Sequence, residues 1–399
     1  MRILKSSFAV VERRAEHAVK FFYSHLFWHN PELRALFPAS PEDMERQRDR
    51  LFAALTHVVA HLESESLVPY LRDLGRDHRK YLVGPEHYAA VGASLFAALA
   101  ETSGAAWTPA VEKAWTEAYG MIADAMTAGA AASTDPPWWD AEVIRHLRYG
   151  RDIGVLTLLP HAPLPYLPGQ YVSVSSARVP TTWRTYCLGN APRRDGTVDL
   201  HVSRIEGGRL STVLVGEIQP GETLRLGAPG GRLTLRREDR PVTLIAAGTG
   251  WAPIRAMLED LVQRPPDHDV RLFVVARDGA HLYDRPLIEE YAAGLDRLAV
   301  TYITPAPGRH RNEATDRLAT ALGNRGLWRE QDVHLSGPPQ FVEETAHLLE
   351  ELGARPERLF YDALPAVGPE RGRPLGFGEW FLNRPAPQWH NPSARDPRP

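Results

Sequence analysis

The 399-residue chain is too long for one ordinary core and, at about 150 residues per domain, divides into two or three. Its 46 lysines and arginines nearly balance 49 aspartates and glutamates, a formal charge of -3, which leaves no electrostatic case for nucleic acid or an anionic membrane as partner and favours small molecules. One cysteine, Cys187, allows no internal disulfide; the N-terminal MRILKSSFAVVERRAEH carries charges where a secretory apolar core would lie; and no uncharged apolar run approaches the roughly 20 residues that cross a bilayer. A cytoplasmic protein with room for a buried cofactor is expected.

Up to residue 132 the apolar residues recur at helical spacing: Phe8, Val11, Ala15, Val19, Phe22 and Leu26 form one stripe, and Val91, Leu95 and Leu99 another. Pro85 and Pro109 suit first helical turns, where a missing N–H costs nothing. STDPPWWD, residues 133–140, breaks the pattern as a linker, with Trp138 and Trp139 placed to anchor it against a neighbour. From 141 to 237 short runs such as GQYVSVSS and TVDLHVSR alternate with Gly and Pro clusters, which predicts a small antiparallel β-barrel. From 238 to 370, near-continuous apolar runs (VTLIAA, VRLFVVA, LAVTYIT, DVHLSG) separated by helical stretches predict buried parallel strands in an α/β layer. The tail, 371–399, is rich in proline and charge and is expected to be disordered. The expected fold class is thus multidomain: an all-α domain, an antiparallel β-barrel and an α/β domain, with no internal repeat.

In the helical part, RDHRKYLVGPEHY sets His78 ten residues ahead of Tyr88. A lone histidine among 16 is as a rule exposed or hydrogen-bonded, so the case for a ligand must come from its surroundings. Those surroundings, FFYSHLFWHNPELRALFP, then MERQRDRLFAAL, then RDHRKYLVGPEHYAAVG, resemble in order and spacing the globin domain of flavohaemoglobins, over roughly the first 130 residues. The resemblance implies haem b, with His78 as proximal iron ligand, Phe37 packed on the haem, and Tyr23, Gln47 and Leu51 lining the distal side. Gln47 and Leu51, four apart, share a helix face. A tyrosine hydroxyl there can donate to a partly anionic bound oxygen, while the alternative for Tyr23 is a half-buried core tyrosine. His57 and His61 stand at i and i+4, a spacing that can bind zinc, but no glutamate follows the first and no third ligand is evident. The chain departs from the family beside the proximal imidazole. Tyr88 matches the family's tyrosine, but its glutamate partner falls at Ala130, on the helix face of Tyr119, with Glu117 and Asp124 pointing away.

Farther on, YLPGQYVSV, WRTYCL and EGGRLSTVL resemble the FAD-binding barrel of ferredoxin-reductase-like proteins, which forms the middle third of flavohaemoglobins. GGRLST alone reads more readily as a hairpin turn; the ordered set PGQY, RTYC, GGRLS, GAPGG is far more specific. The resemblance assigns Tyr171 and Thr185 to the flavin site, Arg184 to the flavin's phosphates, Tyr186 to the ring, and Gly207, Gly208, Ser211 and Thr212 to the pyrophosphate. Cys187 stands where a serine or threonine is usual, and a thiol donates weakly.

VTLIAAGTGWAPIRAML reads as strand, glycine turn and helix: Gly248, Thr249 and Gly250 let backbone approach a pyrophosphate at a helix start near Pro253, although a bare glycine turn can be only a tight loop. VVARDGAHLYD and HLSGPPQFVEE supply two more strand ends at the ligand-binding edge. Ser336, Gly337 and Pro338 occupy the family's Cys-Gly-Pro, with serine for cysteine. Arg277 either pairs with the 2'-phosphate of NADPH or lies on the surface, so NADH or NADPH stays open. FYDALPAVGP puts Leu364 where the family carries an aromatic ring over the flavin.

The resemblance, spanning residues 1 to about 370, implies electron flow from NAD(P)H through FAD to haem and a nitric oxide dioxygenase acting on O2 and NO. The four departures, Ala130, Cys187, Ser336 and Leu364, leave two alternatives: a flavin and haem reductase, for instance an electron donor to a partner protein or a peroxide or lipid redox enzyme; or a haem gas sensor or oxygen store.

Overall fold

The structure is a computed structural model that describes residues 2–236, 238–305, 312–323 and 327–362; Leu364, the rest of 363–370 and the tail over 371–399 lie outside the described residues. The chain forms two compact units that divide between Asp135 and Pro136.

The first unit is all-helical: α1 (Arg2–Glu12), α2 (Ala15–His29), α3 (Pro41–Ala60), α4 (Leu67–His78), α5 (Pro85–Ser103) and α6 (Pro109–Ala132). Proline opens α3, α5 and α6, and the Ser40 and Thr108 hydroxyls accept the backbone N–H of Asp43 and Val111, which fixes where α3 and α6 begin. The first apolar stripe spans two helices rather than one, because the chain turns at Arg13–Arg14, where the Arg14 N–H bonds back to the Val11 carbonyl. Phe8, Val19, Phe22, Tyr23, Leu26, Leu95, Leu99 and Trp115 share one buried cluster. The Trp115 indole donates to Ser7 at 3.0 Å and ties α6 to α1. Helices α4 and α6 cross antiparallel on two glycines, Gly75 against Met126 and Gly129 against Arg72. Among the described residues one helical stretch, Pro85–Ala106, is long and apolar enough by composition to cross a membrane, and here it packs against α1, α2 and α6.

The second unit opens with a curled antiparallel sheet: β1 (Trp139–Tyr149), β2 (Ile153–Pro160), β3 (Tyr171–Ser176), β4 (Val179–Cys187), β5 (Val198–Ser203), the single turn α7 (Arg209–Thr212), and β6 (Thr223–Leu226). The order β4-β3-β6-β1-β2-β5 closes through a bridge from Leu188, just past β4, to Leu200 on β5. The linker is shorter than the sequence suggests. Trp139 and Asp140 already pair with β6 as strand, because the Trp139 ring is buried in the barrel with its N–H on the Pro163 carbonyl at 2.9 Å. Trp138 stays outside, under the Arg225 guanidinium at 4.5 Å.

The α/β layer follows: β7 (Val242–Ala247), α8 (Trp251–Gln263), β8 (Val270–Val275), α9 (Arg285–Gly294), β9 (Leu298–Ile303), α10 (Asn312–Leu322), β10 (Asp332–Ser336), α11 (Pro339–Glu351) and β11 (Leu359–Phe360). Its parallel sheet runs β11-β10-β7-β8-β9, so the winding reverses between β7 and β10. That reversal is where doubly wound sheets bind ligands, outside the carboxyl ends of the strands.

Two fully buried histidines in this unit are held neutral. Burial pushes His201 down to about 4 and His334 down to about 3; His334 stacks on Phe360 and neither of its nitrogens has a partner among the described residues. The unfolded chain takes up these protons near pH 6.5 and the folded chain does not, so stability is full above about 6.5 and falls as pH drops toward 4. By pH 5 each histidine should cost roughly 2 kcal/mol, read as a lower urea midpoint of the second unit, and His334→Leu should remove about half of that pH dependence.

Candidate functional site

His78 is the last residue of α4. Its Nδ1 donates to the Leu74 carbonyl at 2.8 Å; a carbonyl only accepts, so the proton sits on Nδ1 and Nε2 keeps its lone pair. Burial lowers the pKa of the ring, partly offset by the Leu74 bond and Asp77, and keeps it neutral. A neutral imidazole with one nitrogen anchored and the other free of a proton is what an iron ligand requires. The residues present fit haem.

The other candidate haem contacts come from α2, α3 and the turn between them. Tyr23 on α2 meets Phe37 edge to face at 5.6 Å, and Phe37 in turn meets Phe27 at 5.2 Å. The Tyr23 hydroxyl lies 3.5 Å from the backbone carbonyl of Gln47, a long bond. Burial pushes the Tyr23 pKa up, so this hydroxyl holds its proton and remains a donor. Leu51, one turn after Gln47 on α3, packs against the same apolar cluster. The structure therefore brings Tyr23, Phe37, Gln47 and Leu51 together, with His78 on a different helix.

Around Tyr88 a residue not singled out from sequence appears. The Tyr119 hydroxyl donates to the Tyr88 backbone carbonyl at 2.6 Å, and its ring lies so close to Gly92 that a Cβ there would stand 2.6 Å from it. Gly92, one turn after Tyr88, leaves the room this ring fills, but inside a helical pattern a glycine alone does not signal it. Glu117 is exposed and pairs with Lys113 at 3.9 Å, and Asp124 is exposed too. His57 and His61 lie ring on ring at 4.2 Å; among the described residues no group of three His, Cys, Asp or Glu could hold a metal ion.

In the barrel, β3 and β4 pair so that Tyr171 faces Cys187 and Val174 faces Arg184. Strand alternation sends Arg184 and Tyr186 to one side and Thr185 and Cys187 to the other. The Tyr171 ring lies over Gly230 and Gly231, and Gly231 has φ 104°, open only to glycine. Gly207 has φ 71°, and the Ser211 and Thr212 hydroxyls both donate to the Gly208 carbonyl, at 3.0 and 2.8 Å. Those bonds hold the turn shut, together with the Gly208 N–H on the Ile205 carbonyl at 2.9 Å and the Thr212 N–H on the Gly208 carbonyl at 3.0 Å.

Burial pushes the Cys187 thiol up to about 12, helped by the nearby Asp362 carboxylate. Asp362, also missed from sequence, accepts the Arg232 N–H at 2.7 Å, and burial raises its pKa. Nothing in FYDALP marks this aspartate; only the fold carries the chain past β11 back to the barrel.

At the reversal between β7 and β10 the two glycine turns interlock. A Cβ on Gly250 would clash with the Ser336 carbonyl, and one on Gly337 would stand 2.9 Å from the Ala247 Cβ. Gly250 thus meets Ser336 and Gly337, Gly248 before it has φ 57° with open space beyond its Cα, and Pro253 is buried in the first turn of α8. Arg277 is 62% exposed, shared between Asp152 at 3.5 Å and Asp278 at 4.0 Å, and in contact with His281.

Three family models match in the same order: the globin model over residues 20–126, the oxidoreductase FAD-binding domain over 142–235 and the oxidoreductase NAD-binding domain over 244–347. The chain is 31% identical over 393 residues to a flavohemoprotein of Bordetella parapertussis, covering 92% of this chain and 98% of that one. It is 28% identical over 389 residues to a flavohemoprotein of Bacillus subtilis, with 91% and 96% covered. A flavohemoglobin of Malassezia yamatoensis, solved with FAD and haem bound, has the same fold, with a TM-score of 0.73 at 22% identity and coverage of 90% and 97%. With the three domains in order and a relative at 31% identity matched nearly end to end, the chain belongs to the flavohaemoprotein family of oxidoreductases, with haem, FAD and a nicotinamide nucleotide as cofactors.

Proposed function

We propose that the protein is an NAD(P)H-dependent nitric oxide dioxygenase of the cytoplasm, turning two molecules of NO and two of O2 into two nitrates for each NAD(P)H oxidised. When bound, FAD divides a hydride pair into single electrons, and haem binds diatomic gases. His78 presents Nε2 as iron ligand, oriented by its bond to Leu74. Tyr23, buried and protonated, would supply a hydrogen-bond donor to a gas bound at the iron, with Gln47 beside it, and Tyr88 would support His78. Arg184, Tyr186 and the Gly207–Gly208 turn hold FAD; the two glycine turns at the sheet reversal hold the nucleotide. The observation that carries the reading is the Nδ1-anchored, neutral His78 in a unit that also places a protonated tyrosine against Phe37.

The test is nitrate formed when NADH or NADPH is added to aerobic holoenzyme with NO. One nitrate per NO consumed is expected, and Tyr23→Phe should slow consumption about tenfold or more with its Soret band intact. Ala130, Cys187 and Ser336 favour a second reading, a reductase that serves a protein electron acceptor; rapid haem reduction with no nitrate would establish it over the first.

Cys187→Ser replaces a weak thiol donor by a hydroxyl at the assigned flavin site. Stopped-flow flavin bleaching by NADH should speed up severalfold, on the order of one net hydrogen bond.

A further inference from the structure

Where β5 of the barrel meets α8 of the nucleotide layer, charged groups are buried that the reading above leaves without a task. Asp199 on β5 is fully buried (0% exposed) and accepts the Thr157 hydroxyl at 2.7 Å. Two guanidinium groups close on it, Arg193 from the barrel at 3.1 Å and Arg255 from α8 at 3.2 Å. Arg193 reaches on to Glu259 of α8 at 3.1 Å, so the ion pairs cross the junction in both directions.

Arg255 has a second grip. Its Nη1 donates to His201 Nε2 at 3.0 Å, which leaves the His201 proton on Nδ1, donated to the Tyr283 hydroxyl at 2.8 Å. Asp284, next to Tyr283, lies 4.0 Å from Arg255 and accepts the Trp251 indole N–H at 2.9 Å. Trp251 follows Gly250 directly, so the helix that begins at the glycine turn is fixed twice within its first turns.

Cohesion alone does not account for this arrangement. Removing two charges from water costs about what their attraction returns, and well-packed apolar residues hold a junction as firmly. What directional bonds add is a defined geometry, and hydride transfer is steep in distance: a 1 Å misplacement can cost about 100-fold.

We propose that Arg255 is a positioning residue for hydride transfer: by gripping Asp199 and His201 of the barrel it sets the height of the Gly248–Gly250 turn, and of a nucleotide bound there, over a flavin in the barrel. This rests on the reading of the second unit as an NAD(P)H–FAD reductase. The chemistry is unchanged; a hydride passes from nicotinamide to flavin, and Arg255 touches neither.

The experiment measures flavin reduction in holoenzyme over a range of NADH and NADPH concentrations. Arg255→Met should lower the saturating rate about tenfold or more while KM moves less than about twofold and FAD content stays whole. Asp199→Leu combined with Arg255→Met restores apolar packing; it should recover the melting temperature but not the rate. Arg255→Lys, which keeps the charge but cannot span Asp199 and His201 together, should fold as wild type and react at an intermediate rate. A double variant with wild-type rate, Arg255→Lys at wild-type rate, or a change in KM alone would overturn the proposal. Wild-type flavin that neither nucleotide reduces would instead overturn the reductase reading beneath it.

Discussion

His78→Gly, expressed with haem supplied, is expected to purify with almost no Soret band, to keep its FAD, and to regain haem when imidazole is added at millimolar concentration. The expectation follows from the bond at Nδ1. Because His78 donates that proton to Leu74, Nε2 is the only lone pair the ring can offer, and α4 carries no second imidazole to take its place. Loss of an outer partner of a metal ligand already costs about 10 to 100-fold in affinity, and loss of the ligand itself should exceed that. Free imidazole fits the space the side chain leaves and separates a missing ligand from a misfolded unit. His57→Gly and His61→Gly, which remove a paired set of imidazoles elsewhere in this unit, should leave the spectrum unchanged. A normal Soret band in His78→Gly would remove the basis for the haem reading.

Gly75→Ala is expected to destabilise the helical unit by about 3 kcal/mol and to weaken haem retention with it. The added methyl would stand 2.5 Å from the Met126 carbonyl carbon on α6, and backbone, unlike the end of a flexible side chain, cannot swing aside. Gly129→Ala meets the Arg72 Cα of α4 at the same 2.5 Å and should behave alike. Either change separates α4 from α6, and His78 lies one turn beyond Gly75 on α4. The control is Gly120→Ala, also on α6, where a Cβ meets nothing within 4 Å; there the better helix propensity of alanine should stabilise by about 0.5 to 1 kcal/mol. Thermal melts followed at the Soret band and at the flavin band distinguish the units: the first should fall for Gly75→Ala and the second should not.

Much of the architecture was legible because local signals and tertiary structure agree. Pro85 and Pro109 open the helices they were read to open, and the turn-punctuated runs after residue 141 do curl into an antiparallel sheet. Gly75 and Gly129 were not legible: inside a helical pattern a glycine reads only as a weak point, and nothing in one sequence says that another helix backbone lies against it. The turn at Arg13–Arg14 was hidden because the apolar period continues across it. Trp139 reads as linker beside two prolines, yet burial of its indole starts the strand.

The candidate site divides the same way. Contiguous motifs such as RTYC and GTG could be read as candidates, since the chemistry assigned to them lies in neighbours along the chain. Tyr119, Asp362 and the Asp199–Arg255–His201 junction could not, because each joins segments 31 or more residues apart and each residue alone looks ordinary. The Tyr23 hydroxyl shows a finer limit: sequence put it beside Gln47, and the structure adds a contact with the Gln47 backbone carbonyl that no side-chain motif encodes.

The central claim is that electrons pass from NAD(P)H through FAD to haem within one chain. Anaerobic stopped-flow mixing of the ferric holoenzyme with NADH or NADPH tests it most directly. The flavin band should bleach first and the Soret band should then shift to its ferrous position, at a rate independent of protein concentration. Flavin that is fully reduced while the haem stays ferric would contradict it.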